Sequence, residues 1–409
     1  MKRPELLSPA GNFEKMKAAI LYGADAVYLS LDRFGMRAAA DNFCADELSE
    51  AVKYAHERGV KVYVTVNTMP REDEYESLKT YLTDIAKIAP DALIVADIGV
   101  LSLAKKYAPG IEIHISTQAN AVSSAACNAW YQLGAKRVVL ARELTLDEIK
   151  EIRKNVPAEL ELECFIHGSM CVSYSGRCLL SGHMVARDGN RGMCAQPCRW
   201  NYTISGYEIR EEKRPELAMP VEEVNGETFI MSSKDTCTIE HIPELIEAGI
   251  NSFKIEGRMK SAYYTAVVTN TYKIAIDSYF SGNFKYDPSW KRELESVSHR
   301  EYNTGYYFSD SKEDSNVTHN PGYLNDKAYL AVVVENDGKR VKLAQRNKLT
   351  EGQRAELVTP GKTGEPFVIG ALYNEAGERI ESAPHPYMIF YTDMPIDAKP
   401  GDIIRAELQ

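Results

Sequence analysis

The chain has no run of 18 apolar residues, so no helix long and apolar enough to cross a membrane is predicted. Its opening, MKRPELLSPAGNFEKM, holds no apolar stretch of the kind a secretory signal needs. It also lacks an excess of basic charge. Lys and Arg number 48 against 58 Asp and Glu, a formal net charge of −10, which argues against a globally basic nucleic-acid binder and leaves room only for a local basic groove. The zinc-protease pattern H-E-x-x-H is absent. The G-x-G-x-x-G turn of dinucleotide-binding open sheets is absent too. Histidines number eight, and no thiol- or hydroxyl-based triad is recognisable among them. The paired short knuckles of zinc ribbons and the C-x2-C-x2-C run of bacterial ferredoxins are missing. The expected location is cytoplasmic, where thiols stay reduced and clustered cysteines read as metal ligands or redox groups before disulfides.

The first 160 residues alternate short apolar runs with amphipathic stretches, the signature of βα units. Strands are predicted at 5–7, 26–30, 60–66, 92–96, 112–115, 137–140 and 160–166, with helices at 12–21, 45–57, 72–88, 100–107, 123–133 and 145–155. An eighth strand falls at 252–255, followed by a long helix at 263–280. The fold predicted is α/β: a TIM-like (β/α)8 barrel over residues 1–285 with a cysteine-rich insertion at about 167–250. Inside the insertion, 201–204 and 228–231 read as a hairpin. Residues 286–324 have no regular period and read as a connecting segment. From 325 to 409 the period becomes two, with strands at 329–334, 340–344, 354–358, 365–373, 385–390 and 403–407, which predicts a small C-terminal all-β barrel domain.

What the chain has in abundance is soft ligands in one place. Five of its eight cysteines, Cys164, Cys171, Cys178, Cys194 and Cys198, fall between Glu163 and Arg199, and Cys237 follows in SSKDTC. Glycines at 168, 176, 182, 189 and 192 let the backbone fold tightly there. Composition leaves an iron–sulfur cluster, zinc, or a nucleophilic or redox cysteine open. Cys44, Cys127 and Cys164 read as core thiols. Cys171, Cys178 and Cys194 are the leading ligands. A fourth at Cys198 would give a compact local site, and one at Cys237 would tie the site to the second half of the insertion.

The C-terminal ends of the barrel strands, where barrel chemistry gathers, are polar. They offer Ser8, Asn67, Asp97, His114 with Ser116 and Gln118, Arg142 with Glu143, Glu163 with His167, and Lys254 with Glu256 and Arg258. Strand alternation puts Lys254 and Glu256 on one face, and neighbouring strands would bring Glu163 beside them. Arg37, Lys254 and Arg258 are candidates for holding anionic groups. Glu163, His167 and Glu256 are candidates for proton transfer. Asn67, His114 and Gln118 complete the candidate substrate surface.

The run ECFIHGSMCVSYSGRCLLS closely resembles the signature of the U-thirty-two peptidase family, the so-called collagenase-like proteases. The segments NRGMCAQPCRW, SSKDTC, FKIEGR, ELLSPAGN and RAAADNF are similar to that family too, so the resemblance runs from residue 5 to about 310. The terminal β-domain is similar to one found in many members. The resemblance implies an iron–sulfur protein, with a 4Fe-4S cluster and zinc as the alternative metal, working in oxygen-independent hydroxylation. Some members hydroxylate the wobble uridine of tRNA with prephenate as the apparent oxygen source; others modify ribosomal RNA or act in ubiquinone synthesis. It implies tRNA or another RNA as partner, with an electron-transfer protein and a paralogous family member as further partners. Matching the ubiquinone-type members suggests Cys171, Cys178, Cys194 and Cys237 as ligands, while a second member type uses a C-x3-C pair and keeps Cys198 in play. Tyr302, Tyr306 and Tyr307 read as RNA-stacking residues or as packing. The family name adds a peptidase reading, for which His167 precedes Cys171 without a visible Asn or Asp orienter. A structural-metal protein or accessory subunit is the third reading.

Overall fold

A computed structural model describes residues 2–36, 41–199, 209–211, 214–219, 223–224, 227–228, 233–282, 284–309, 323–394 and 397–408. Short, almost wholly buried apolar runs form the barrel staves: β1 (Glu5–Pro9), β2 (Ala26–Leu29), β3 (Lys61–Val66), β4 (Ala92–Val95), β5 (Glu112–Ile115), β6 (Arg137–Val139) and β7 (Glu161–Ser169). Within the insertion two short ladders pair antiparallel, β8 (Ile209–Glu211) with β9 (Arg214–Met219) and β10 (Glu223–Val224) with β11 (Glu227–Thr228). β12 (Asp235–Cys237) and β13 (Ser252–Ile255) follow. β13 pairs parallel with both β1 and β7, which closes eight parallel strands into the predicted barrel. The predicted hairpin at 201–204 and 228–231 lies largely outside the described residues.

The helices between the strands are α1 (Phe13–Leu21), α2 (Ala45–His56), α3 (Tyr75–Ile88), α4 (Ile98–Tyr107), α5 (Ser124–Gln132) and α6 (Leu146–Lys154), with α7 (Leu180–Val185) in the cysteine-rich segment and α8 (Ile242–Glu247) before β13. α4, α5 and α6 begin where a side chain satisfies an orphan backbone N–H. Asp97 accepts from Val100, Ser123 from Ala126, and Thr145 forms a reciprocal capping box with Glu148. Cys44 is no core thiol: it is exposed at the N-cap of α2, where its backbone N–H donates to Glu47. Cys127 and Cys164 are buried as predicted, and burial pushes the Cys127 thiol up to about 11.

β7 runs three residues past its predicted end, and β12 pairs antiparallel with that extension, Cys237 opposite His167 and Asp235 opposite Ser169. β14 (Tyr302–Asn303) adds alongside β12. A buried ion pair, Arg300 Nη2 to Asp235 Oδ1 at 2.6 Å, secures this flap. Gly168 permits it: at φ +109° a Cβ would stand 2.3 Å from the Glu256 carbonyl oxygen.

The second compact unit gathers residues 14–25, 260–298 and 324–409, so it does not follow a single cut in the chain. Besides most of α1 (Phe13–Leu21), it holds α9 (Ala262–Phe280) and α10 (Pro288–Glu295), the latter inside the segment predicted to be irregular and started by an Asp287 cap and a proline. Its strands β15 (Lys327–Asn336), β16 (Val341–Gln345), β18 (Arg354–Val358), β19 (Glu365–Val368), β20 (Leu372–Tyr373), β21 (Arg379–Ile380), β23 (Ile389–Thr392) and β24 (Ile403–Glu407) form one antiparallel half-barrel sheet, with β17 (Leu349–Thr350) and β22 (Ser382–Ala383) as a separate pair. The predicted strand 365–373 is split at Gly370, whose Cβ would meet the Asp393 carbonyl oxygen at 2.2 Å. Arg405, 1 % exposed, ties the unit together through Glu293 at 2.6 Å and Glu356 at 2.8 Å.

Candidate active site in the barrel mouth

At the C-terminal ends of the barrel strands lies an open cavity. Strand alternation aims Thr65, Ser116, Val139, Phe165 and Lys254 into it, and the residues just past those strands, Asn67, Gln118, Arg142 and Glu256, form its rim. The cysteine-rich segment supplies the remaining wall, where Cys171, Cys178, Cys194 and Cys198 all line the cavity. Cys237 is not among the lining residues; it is buried on β12 against the extension of β7.

Beneath the cavity the barrel interior is charged. Lys254 Nζ donates to Glu163 Oε1 at 2.8 Å, and Arg137 Nη1 donates to Glu163 Oε2 at 3.1 Å. Arg137 also reaches Glu5 Oε1 at 2.6 Å and Glu161 Oε2 at 2.6 Å, and the Tyr63 hydroxyl donates to Glu5 Oε2 at 2.6 Å. Burial alone would push the Glu163 carboxyl up; the Lys254 ammonium and Arg137 guanidinium outweigh it and hold the group at about 2. Glu163 is therefore a fixed anion at neutral pH with both oxygens committed. This corrects its assignment to proton transfer: it is a positioning residue that keeps Lys254 in place. The Lys254 ammonium lies 4.4 Å from the centre of the Tyr28 ring, which adds a cation–π contact on the cavity side.

Two other predicted residues do not reach the cavity. His114 is 1 % exposed, packs edge-on against Tyr63 with ring centres 4.7 Å apart, and makes no hydrogen bond at either ring nitrogen among the described residues, although Glu112 stands 3.5 Å away. Burial pulls its pKa down, so it is a neutral core histidine. His167 points to the flap, where its Nε2 meets the Tyr302 hydroxyl at 3.4 Å. Tyr302 in turn stacks on His299 at 4.2 Å, and the Tyr307 hydroxyl donates to the Phe165 carbonyl at 2.5 Å, so both tyrosines are packing residues. Arg37 lies outside the described residues.

The structure does bring Asn67, Gln118, Lys254, Glu256 and Arg258 together around the cavity. The Glu256 carboxylate accepts from the Tyr28 hydroxyl at 3.0 Å, and Asn67 bridges the Met36 N–H at 3.1 Å and Ser116 Oγ at 3.2 Å. Arg258, 3 % exposed, donates to the Met36 carbonyl.

The loop carrying Cys171 and Cys178 is clamped from below. Ser175 is fully buried; its N–H donates to Glu143 Oε1 at 2.8 Å, and its hydroxyl receives Arg142 Nε at 3.2 Å. Gly176, at φ +70°, lies flat on the Gln118 backbone, where a Cβ would stand 2.2 Å from the carbonyl oxygen. Asn190 braces the other end through the Cys178 carbonyl at 2.6 Å. The sequence reading missed this clamp, and it missed Glu5, Arg137 and Glu161. Their signal was charge placed two apart inside apolar strand runs, as in ELEC, where inward positions are charged.

Comparison with known proteins identifies the lineage. The model of peptidase family U32 matches residues 11–317, and that of the U32 C-terminal domain matches residues 325–405. The chain belongs to peptidase family U32. It is 37 % identical to a Bacillus subtilis protein named tRNA hydroxylation protein P1, covering 99 % of this chain and 95 % of that one. It is also 37 % identical to the Escherichia coli tRNA hydroxylation protein P, covering 94 % and 92 %. A Porphyromonas gingivalis protein named collagenase is 32 % identical over 85 % of this chain and 82 % of its own. The family name and the relatives' names thus point to two chemistries, and the site itself must choose between them.

Proposed function

We propose that this U32 protein is an iron–sulfur-dependent RNA-modifying enzyme. Its reaction is the oxygen-independent hydroxylation of a tRNA base, the wobble uridine, with prephenate as the oxygen source. The observation that carries this reading is one cavity shared by four cysteine thiols and the charged side chains of Lys254, Arg258 and Glu256. The close relatives named for tRNA hydroxylation support it.

Four cysteines line the cavity, and thiolates are the donors an iron–sulfur cluster takes. Cys171, Cys178 and Cys194 would hold it, with Cys198 as the fourth ligand on the same wall and Cys237 as the alternative. Such a cluster, when bound, supplies one-electron chemistry, fed by an electron-transfer partner.

The chain's own side chains do the rest. Lys254, kept in place by Glu163, and Arg258 present fixed positive charge to a carboxylate-bearing co-substrate. Glu256, oriented by Tyr28, is the carboxylate within the cavity suited to moving a proton. The peptidase reading needs a thiolate–imidazole pair, and among the described residues no histidine lines the cavity. Anaerobic purification with iron and sulfide assay tests the proposal: a colourless protein that takes up no iron on reconstitution would sink it.

A further inference from the structure

One arc of the cavity wall holds polar groups that the fold leaves unspent. The Gln118 carboxamide makes no hydrogen bond among the described residues; only its backbone N–H is engaged, on Ser116 Oγ at 3.3 Å. Thr65 Oγ1 is buried, lines the same cavity and has no partner among the described residues. The Arg142 guanidinium spends Nε on Ser175 and has no carboxylate within ion-pair reach among the described residues. Tyr174, on the loop above them, lines the cavity while 50 % exposed. Its position is set by the Ser175 clamp on one side and by the Arg177 N–H on its carbonyl at 3.0 Å on the other.

These groups are connected. Gly176 seats the loop on the Gln118 backbone, and Ser175 links it to Arg142. Elsewhere on the cavity lining, Lys254 is committed to Glu163 and Glu256 to Tyr28, so those side chains are already ordered without a ligand. Thr65 Oγ1 is a buried hydroxyl left without a partner among the described residues, and on the same cavity lining the half-buried Gln118 carboxamide and Arg142 guanidinium keep hydrogen-bonding capacity open; together they are complementary to something polar, flat and anionic at one end. A carboxamide offers one donor and one acceptor side by side, which matches the edge of a nucleobase. A half-exposed phenol ring at the rim offers a stacking face.

Resting on the RNA-modifying reading, we propose that this arc is a pocket for a single extruded nucleotide. The target base leaves its stack and enters the barrel mouth. There it stacks on Tyr174 and is bonded at its edge by the Gln118 carboxamide, with Thr65 Oγ1 as a deeper partner, while Arg142 holds the adjoining phosphate. Chemistry on a ring carbon requires such extrusion, because a stacked base cannot present that atom to a recessed site.

The probe is an unmodified anticodon stem–loop transcript with 4-thiouridine at the first anticodon position. With the purified full chain, irradiation is expected to crosslink it to the peptide containing Tyr174. Tyr174→Ala should weaken binding about 10- to 100-fold, the usual range for a lost base–aromatic stack, and Tyr174→Phe should bind like wild type. Gln118→Ala should weaken binding by a smaller factor, and Arg142→Gln should lower the salt dependence of binding by about one phosphate contact. Tyr174 is half exposed, so its variants keep the fold. If wild type binds the transcript and the Tyr174 and Gln118 variants bind it equally well, the pocket is overturned while the RNA reading stands. If wild type does not bind it at all, the RNA reading falls and the pocket with it.

Discussion

Replacing Glu163 with glutamine is the most informative single change, because it separates the positioning role argued above from proton transfer. A carboxyl held at about 2 in the folded chain against 4.5 in the unfolded one corresponds to about 3 kcal/mol favouring the folded, ionised state. The folded value is depressed, so this stability is fully present above pH 4.5 and is lost as pH falls toward 2. The variant removes that dependence and leaves the buried Lys254 ammonium without a carboxylate, for which a cost of about 3–5 kcal/mol at pH 7 is expected. Lys254→Met should cost less, because Glu163 then keeps Arg137 at 3.1 Å. The double variant should be less destabilised than the sum of the two by about 2 kcal/mol, since both members of the pair leave together. Urea denaturation followed by circular dichroism, at pH values from 3 to 7, measures all three. A Glu163→Gln variant within about 0.5 kcal/mol of wild type at pH 7, or an additive cycle, would refute the reasoning.

Other outcomes follow from particular contacts. Gly176→Ala forces a side chain against the Gln118 carbonyl at positive φ; a stability loss of about 2 kcal/mol or more is expected, with faster alkylation of Cys178 in the cluster-free protein as the local readout. Cys198→Ala should abolish iron retention while Cys237→Ala keeps it, because Cys198 shares the cavity and Cys237 does not; iron content after reconstitution decides, and the reverse pattern moves the fourth ligand to β12. Arg405→Met strands the Glu293 carboxylate in the second unit and should cost about 3–5 kcal/mol, with Arg405→Lys recovering part; hydrogen exchange along β24 reports it.

The barrel was legible because its strands are apolar runs bounded by caps and glycines, and these signals are local. β2 to β6 lie within about one or two residues of the sequence reading. The flap was not legible: HGS and DTC carry no period, and their pairing joins residues roughly 70 apart. α10 was missed because its Asp287-Pro288 start sits in a stretch otherwise rich in turn residues. At the site, residue type identified Lys254, Glu256, Arg258, Asn67 and Gln118, but direction had to come from the fold. Glu163 lies one layer below the cavity, and His167 sits past a register shift in β7 that turns it toward Tyr302. The choice between Cys198 and Cys237 likewise depends on which wall each one joins, and sequence spacing is silent on that.

The central claim is that the thiol-lined barrel mouth hydroxylates tRNA, and nucleoside mass spectrometry tests it most directly. Total tRNA would be taken from a strain lacking this chain and its close relatives, complemented with wild type, Cys171→Ala or Lys254→Met. Wild type is expected to restore hydroxylated wobble uridine, and both variants are expected to fail even though folded protein of each still accumulates. Full hydroxylation with Cys171→Ala, or none with wild type, would contradict it.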